Sequence, residues 1–161
     1  MERRDFLAGS VATLTLTTGS AALAAKAKTK APTRLNPLLT KWDTPWGVPP
    51  FAQIKTSDFE PAIDIGMARG RAEIDVISAG KTPATFETVI VPMEKAGQDL
   101  NRATTVFYNL TGMLSTPALQ QIEGKLSEKL SAHASAINQD PKIFARVKAA
   151  YDSRATQNLT G

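Results

Sequence analysis

The chain has 161 residues, no cysteine and a single histidine, His133. The absence of cysteine excludes disulfide bonds, thiolate metal sites and a cysteine nucleophile. One histidine excludes any zinc site that takes two imidazole ligands from this chain. Hydrophobic residues make up 42% of the sequence, which is enough for the core of one domain. We therefore predict a single globular domain that has no thiolate chemistry and no zinc site built from two of its own histidines.

The excess of positive charge is confined to the start of the chain. The sequence has 19 basic and 15 acidic side chains, and residues 1–34 contain six of the basic and two of the acidic ones. Residues 35–161 therefore carry no net charge. A nucleic-acid-binding domain is expected to carry a basic surface, so the neutral body argues against a nucleic-acid partner.

Residues 1–31 resemble a twin-arginine export signal. The pattern consists of Arg3 and Arg4 followed, after one residue, by Phe6 and Leu7. Signals of this kind are addresses read by a receptor rather than membrane anchors. The resemblance implies that the chain is recognised by the twin-arginine translocase during export. It also implies a periplasmic or otherwise exported location.

A weakly apolar stretch follows the two arginines, from Leu7 to Ala25. It is diluted by threonine and glycine, and it is short for a membrane span, which needs about 20 apolar residues. Small-x-small patterns end at Ala24 and at Ala27, which makes both candidate cleavage positions. The alternative is a mildly apolar helix that is retained at the N-terminus.

Residues 32–55 are predicted to form an extended arm. Five of the ten prolines fall between Pro32 and Pro50, and each proline restricts both itself and the residue before it. The arm also contains Trp42 and Trp46. Because large aromatic side chains favour burial, we expect the arm to lie pinned across a folded surface.

The first predicted helix starts at Ser57, where Ser57 and Glu60 match a capping box, and it ends near Gly80. Apolar residues recur every three or four positions along it, as expected for one buried helix face. Gly66 and Gly70 have the GxxxG spacing. In a soluble helix this spacing indicates close packing against a neighbouring helix.

Three further helices are predicted. The second runs over about 85–110 and is kinked by Pro92 unless it begins late. The third runs over about 117–137 with Thr116 as its N-cap, and the fourth starts at Asp140 and Pro141. The inner face of the fourth helix is predicted to be Phe144, Val147 and Tyr151. Since no segment alternates with period two, residues 56–161 are predicted to be an all-α domain of about four helices in antiparallel hairpins.

The residues that could carry chemistry are better explained by structural roles. His133 falls on the apolar stripe of the third helix and is interpreted as a core or rim histidine. The acidic cluster at the start of the first helix is interpreted as favourable for the helix N-terminus, and the basic cluster on the fourth as a solvated face. These clusters are Asp58, Glu60 and Asp64, and Lys142, Arg146 and Lys148.

Several long stretches resemble the thimet-oligopeptidase-like family of zinc metallopeptidases, which includes the bacterial peptidyl-dipeptidases. The resemblance covers residues 35–154, and its longest matches are 36–42, 44–51, 58–62, 83–90 and 141–147. It implies that the chain is the N-terminal helical part of a larger all-α enzyme that removes C-terminal dipeptides from peptides. In that family one zinc ion is bound by a His-Glu-x-x-His helix and a later glutamate, and the glutamate within the motif acts as general base.

No catalytic or metal-binding residue can be transferred from that family to this sequence, because His133 is followed by Ala134 rather than by the motif. Two hypotheses follow. In the first, the chain is an inert N-terminal piece that belongs with a missing C-terminal catalytic domain, and apolar surface is left exposed where the two would meet. In the second, it is a free-standing exported helical module that binds peptides or a partner.

Overall fold

The computed structural model describes residues 34–157, and all regular structure in that range is helical. The all-α prediction is confirmed. Within the same range, no helix is both long and apolar enough to cross a lipid bilayer. The α-helices are α1 (Thr56–Ser78), α2 (Val91–Lys95), α3 (Gln98–Leu114), α4 (Pro117–Asn138) and α5 (Pro141–Asp152).

The arm is held against the helices by Leu38 and Trp42. Leu38 is fully buried in a short 3₁₀ helix, Pro37–Leu39, that packs on α1 and α3. The indole N–H of Trp42 donates to the carbonyl of Pro37 at 2.8 Å. The guanidinium of Arg102, on α3, lies 5.4 Å from the centre of the Trp42 ring, within the range of a cation–π contact.

Trp46 does not share this anchoring. Its side chain is 99% exposed, so the prediction that both tryptophans are pinned is wrong for this residue. Trp46 and Gly47 both have left-handed backbone angles, with φ of 62° and 66°. The turn that contains them is closed by a hydrogen bond from the Thr44 hydroxyl to the carbonyl of Val48. The turn therefore satisfies its own backbone and leaves the indole in solvent.

The N-cap of helix α1 lies two residues before Ser57, the N-cap that the sequence predicts. Lys55 is the N-cap, and its backbone N–H donates to the carboxylate of Asp58 at 2.7 Å. Asp58 thus occupies the third helical position, where Glu60 was expected, and the predicted Ser57–Glu60 capping box is wrong. Arg34 reaches the same carboxylate at 2.5 Å, which ties the start of the arm to the start of the helix.

The second predicted helix is interrupted. A π-helical turn, Phe86–Ile90, leads into α2, and the chain breaks at Gly97 before α3 begins. Pro92 has no N–H to donate to the preceding turn, which fits the wide turn before it. The sharp break comes later, because Gly97 has φ of 73° and its N–H donates to the Glu73 carboxylate at 2.7 Å. The prediction of a single helix over residues 85–110 is therefore wrong.

Helices α4 and α5 begin as predicted. The Thr116 hydroxyl accepts from the N–H of Leu119 at 3.3 Å, and the Asp140 carboxylate accepts from the N–H of Lys142 at 2.9 Å. The predicted inner face of α5 is wrong in part. Phe144 and Tyr151 are 66% and 61% exposed, whereas the residues that face the core are Ile143, Val147 and Ala150.

Helix α1 is the centre of the fold, since α3, α4 and α5 all pack on it. One apolar cluster lies around the edge-to-face pair Phe59 and Phe107, whose ring centres are 5.2 Å apart. A second cluster lies at the other end of α1, around Ile74, Ile77 and Val89. These two clusters are called the first and second core below.

Candidate functional site

An open groove of about 530 Å³ lies between α3 and α4, and α1 and the α2–α3 break also line it. Its volume is within the range of ligand-binding clefts. No lining residue is Asp, Glu, Lys or Arg, so the groove carries no fixed charge. The lining residues are Gly70, Ile74, Met93, Ala96, Gly97, Leu100, Asn101, Thr104, Tyr108, Leu130, His133, Ala134, Ile137 and Asn138.

Glycines in α1 set how closely the neighbouring chain approaches beside the groove. A Cβ atom placed on Gly66 would lie 2.8 Å from the Cα of Leu100. A Cβ on Gly70 would lie 3.2 Å from the Cα of Gly97. Close helix packing was predicted from the spacing of Gly66 and Gly70, and this prediction is confirmed. The segment from Gly97 to Leu100 consequently lies directly against α1.

The α3 side of the groove is polar except at Leu100. Asn101, Thr104 and Tyr108 are spaced by three and then four residues, which places them on one helix face. The Thr104 hydroxyl donates to the carbonyl of Leu100 at 2.9 Å and can still accept a hydrogen bond. Facing them, α4 contributes the apolar side chains of Leu130, Ala134 and Ile137, together with the polar side chains of His133 and Asn138. The groove therefore has hydrogen-bonding groups along most of its α3 wall, and its α4 wall is apolar apart from His133 and Asn138.

His133 lies half-buried on the α4 side of the groove. Burial, and to a smaller degree the positive charge of Arg71, lowers the pKa of its imidazole. The side chain is therefore neutral near pH 7. This position at the rim agrees with the interpretation from sequence.

The acidic cluster at the start of α1 is divided between two basic partners. Asp58 pairs with Arg34, as described above. Asp64 and Glu60 both face Lys129 on α4, at 2.8 Å and 3.5 Å. Hydrogen bonding to Asp64 raises the pKa of Lys129. Among residues 34–157, no group of three or more His, Cys, Asp or Glu side chains is arranged to hold a metal ion.

Arg71 is a structural residue whose role no sequence pattern indicated. Its guanidinium, on α1, lies 2.7 Å from both Asp75 and Asp140, and it donates to the carbonyl of Ala136 at 3.2 Å. Hydrogen bonds to Asp75 and Asp140 raise the pKa of Arg71. The pKa of Asp140 is lowered, first by the N–H of Lys142 and then by Arg71. This one side chain thus joins α1 to the turn between α4 and α5.

Two of the three basic residues of α5 have partners in the structure. Arg146 donates to the carbonyl of Thr82 at 2.7 Å, and Lys148 pairs with Asp152 one turn later. Lys142 is exposed. The interpretation as a solvated face therefore agrees with the structure for Lys142 and Lys148 but is wrong for Arg146, which is half-buried and has a buried Nε atom.

An apolar surface lies on the outer side of α5. Phe86, Tyr151 and Arg154 line a shallow depression of about 220 Å³. The Arg154 guanidinium lies 3.8 Å from the centre of the Tyr151 ring. Phe144, also on α5, is exposed as well. Exposed aromatic side chains of this kind are typical of surfaces that contact another protein.

The export-signal predictions concern residues outside the described range. These are the signal residues Arg3, Arg4, Phe6 and Leu7 and the cleavage candidates Ala24 and Ala27.

No protein-family model matches the chain. The chain is, however, similar in sequence to individual curated proteins. The dipeptidyl carboxypeptidase of Escherichia coli strain K12 is 33% identical over 127 residues, which is 79% of this chain and 19% of that protein. The dipeptidyl carboxypeptidase of Salmonella typhimurium is 32% identical over 124 residues, which is 77% of this chain and 18% of that protein. The chain resembles part of a peptidase.

A more distant relative supports the same assignment. Oligopeptidase A of Salmonella typhimurium is 26% identical over 109 residues, which is 68% of this chain and 15% of that protein. The chain therefore spans less than a fifth of the length of the curated relatives it matches. Its similarity to these peptidases nevertheless covers between 68% and 79% of this chain.

Proposed function

We propose that this chain is a non-catalytic helical part of an exported zinc peptidase that removes C-terminal dipeptides from peptides. The observation that carries the proposal is the 33% identity to the Escherichia coli dipeptidyl carboxypeptidase over 127 residues. The zinc-binding and general-base residues of such an enzyme would come from a catalytic domain outside this sequence. The described residues do not fit the metal, since His133 lies in an uncharged groove and the acidic side chains at the start of α1 pair with basic ones.

In this proposal the chain contributes a scaffold and a peptide-facing surface. The first core packs α3 and α4 on α1, and the groove lies between α3 and α4. The exposed aromatic side chains of α5 supply a surface on which the catalytic domain would pack. That domain is the first partner of the chain, and short peptides are the partner of the assembled enzyme.

Export through the twin-arginine route is part of the same proposal. It rests on Arg3, Arg4, Phe6 and Leu7 in the sequence. Residues 1–31 fused to a reporter that folds in the cytoplasm should direct it to the periplasm. Replacing Arg3 and Arg4 by lysine should retain the charge but stop export. Equal export of the two fusions would contradict the assignment.

A chimera tests the peptidase assignment. Residues 34–157 would replace the stretch of the Escherichia coli dipeptidyl carboxypeptidase that they match. We expect the chimera to bind zinc and to release dipeptides from a blocked tripeptide. The matched controls are Trp46→Ala, whose side chain is exposed, and Leu38→Asp, which places a charge in the first core. Activity should survive the first change and be lost with the second.

Two results would contradict the proposal. One is a chimera that folds and binds zinc but releases no dipeptide. The other is zinc-dependent dipeptide release by the full chain alone, since the proposal makes the chain inert without its catalytic domain.

The second hypothesis, a free-standing peptide- or partner-binding module, is favoured by one observation. The groove is lined by the chain's own helices and does not require another domain to form. The two hypotheses differ in solution behaviour. A module should be monodisperse and bind little hydrophobic dye at micromolar concentration. A part of a larger enzyme should bind dye and self-associate through the α5 surface, and Phe144→Ser should reduce both.

A further inference from the structure

The two walls of the groove present different chemistry to whatever occupies it. The α3 wall presents the polar side chains of Asn101, Thr104 and Tyr108 beside Leu100. The α4 wall presents the apolar side chains of Leu130, Ala134 and Ile137 beside His133 and Asn138. Among residues 34–157, none forms a hydrogen bond to the Tyr108 hydroxyl or to the side-chain amide nitrogen of Asn101. Amides and hydroxyls both donate and accept, so this wall can pair with peptide N–H and C=O groups alike.

We propose that the groove binds an extended, uncharged peptide segment of about three to four residues. Its main chain would lie along Asn101, Thr104 and Tyr108, and its apolar side chains would lie against the α4 wall. This inference rests on the proposed function for peptides as the ligand class, and it adds the site and the character of the segment that is bound.

The proposed length of the bound peptide segment follows from the geometry of α3. The α3 wall extends from Leu100 to Tyr108, which is about 12 Å along the axis at 1.5 Å per residue. An extended chain advances about 3.3–3.6 Å per residue, so three to four residues span that distance.

The charge preference follows from the lining. No lining residue is acidic, lysine or arginine, and the one imidazole, His133, has a lowered pKa. A charged side chain entering the groove would lose hydration without gaining an opposite charge. A neutral segment loses less hydration free energy than a charged one, and it still buries apolar area against Leu130 and Ile137.

An extended segment fits the walls better than a helix from a partner protein. The main chain of a helix satisfies its own hydrogen bonds, and docked helices favour grooves that are apolar on both sides. An extended segment has free N–H and C=O groups on one edge, at intervals of about 6.6–7 Å. Along the axis of α3, the distance from Asn101 to Thr104 is about 4.5 Å and that from Thr104 to Tyr108 is about 6 Å. These side chains can therefore reach successive N–H and C=O groups on one edge of an extended peptide.

The test uses the full chain, labelled with ¹⁵N, and the acetylated and amidated tetrapeptide Ala-Leu-Phe-Ala. We expect saturable shifts of backbone amides along α3 and α4. The same peptide with aspartate or lysine in place of phenylalanine should bind at least about tenfold more weakly. A 14-residue amphipathic helix of alanine, leucine and lysine serves as the competing class of ligand.

A matched pair of variants localises the binding. Ala134→Trp fills the groove, and we expect it to weaken binding at least about tenfold. Ala132→Trp makes the same change on an exposed part of α4 that does not line the groove, and it should leave the affinity unchanged. Tyr108→Phe removes only the hydroxyl and should weaken binding about threefold to tenfold. Thermal unfolding of each variant shows whether it is folded.

The outcomes separate this inference from the proposed function. Equal binding of neutral and charged peptides, equal binding by the folded Ala134→Trp variant, or binding of the helix alone would overturn the inference. An active chimera whose groove binds no peptide would leave the proposed function standing and this inference refuted. A chimera that folds and binds zinc but releases no dipeptide, together with a groove that binds the peptide, would refute the proposed function but not this inference.

Discussion

Replacing Gly66 by alanine tests the close contact between α1 and α3. A Cβ atom at this position would lie 2.8 Å from the Cα and 2.9 Å from the N of Leu100. Carbon atoms in favourable contact are about 3.5–4.0 Å apart, so α3 must move by about 1 Å. The obstacle is main chain, which cannot avoid the clash by rotating about a side-chain bond.

The expected loss follows from two opposing effects. Overpacking of this kind costs about 1–3 kcal/mol. Replacing glycine by alanine inside a helix raises the free energy of unfolding by about 1 kcal/mol. Gly124, on α4, isolates the second effect, because a Cβ atom there meets nothing within 4 Å. We therefore expect Gly124→Ala to stabilise the fold by about 1 kcal/mol, and Gly66→Ala to be about 1–3 kcal/mol less stable than Gly124→Ala.

Urea unfolding followed by far-ultraviolet circular dichroism measures this difference, provided that the slopes of the two transitions agree. Gly70→Ala gives an intermediate point, since its Cβ atom would lie 3.2 Å from the Cα of Gly97. Equal stability of Gly66→Ala and Gly124→Ala would refute the reasoning, because it would mean that α3 does not approach α1 as closely as described.

Four further predictions concern other parts of the molecule. The ring of Phe107 is fully buried, so Phe107→Ala should lower the free energy of unfolding by about 3–5 kcal/mol in a denaturation experiment. Trp42→Ala should lower the melting temperature while Trp46→Ala leaves it unchanged, and the reverse order would contradict the placement of the arm. Since the folded-state pKa of His133 is lowered, the unfolded chain takes up the proton first; stability should fall as pH drops below about 6.5, and His133→Gln should flatten that part of the pH profile. The lowered pKa of Asp140 contributes stability above about pH 4 that is lost in acid, so Asp140→Asn should be less stable at neutral pH and approach the parent protein in acid.

Sequence patterns located the elements that are set by neighbouring residues. Thr116 and Asp140 cap their helices as predicted, because a cap depends only on the next three residues. The spacing of Gly66 and Gly70 correctly indicated close packing. These signals are local, so they can be interpreted without knowing the tertiary structure.

The remaining features depend on partners that are far apart in the chain. The break at Gly97 is held by Glu73, 24 residues earlier, and Arg71 reaches Asp140 across 69 residues. The exposed positions of Phe144 and Tyr151 depend on which face of α5 meets the second core. The groove likewise forms only when α3 and α4 pack on the same helix, so its residues gave no joint signal in the sequence.

The division into two cores has a consequence for how the molecule opens. The first core joins α3 and α4 to the arm, and the second joins α5 and the π-helical turn to the far end of α1. Between them, α1 is the shared element and Gly97 interrupts the connection from α2 to α3. Such an arrangement favours sub-global opening, in which the amides of α5 exchange with solvent deuterium while those of α3 stay protected. Hydrogen exchange would then divide this chain of helices into two cooperative units that meet along a single helix.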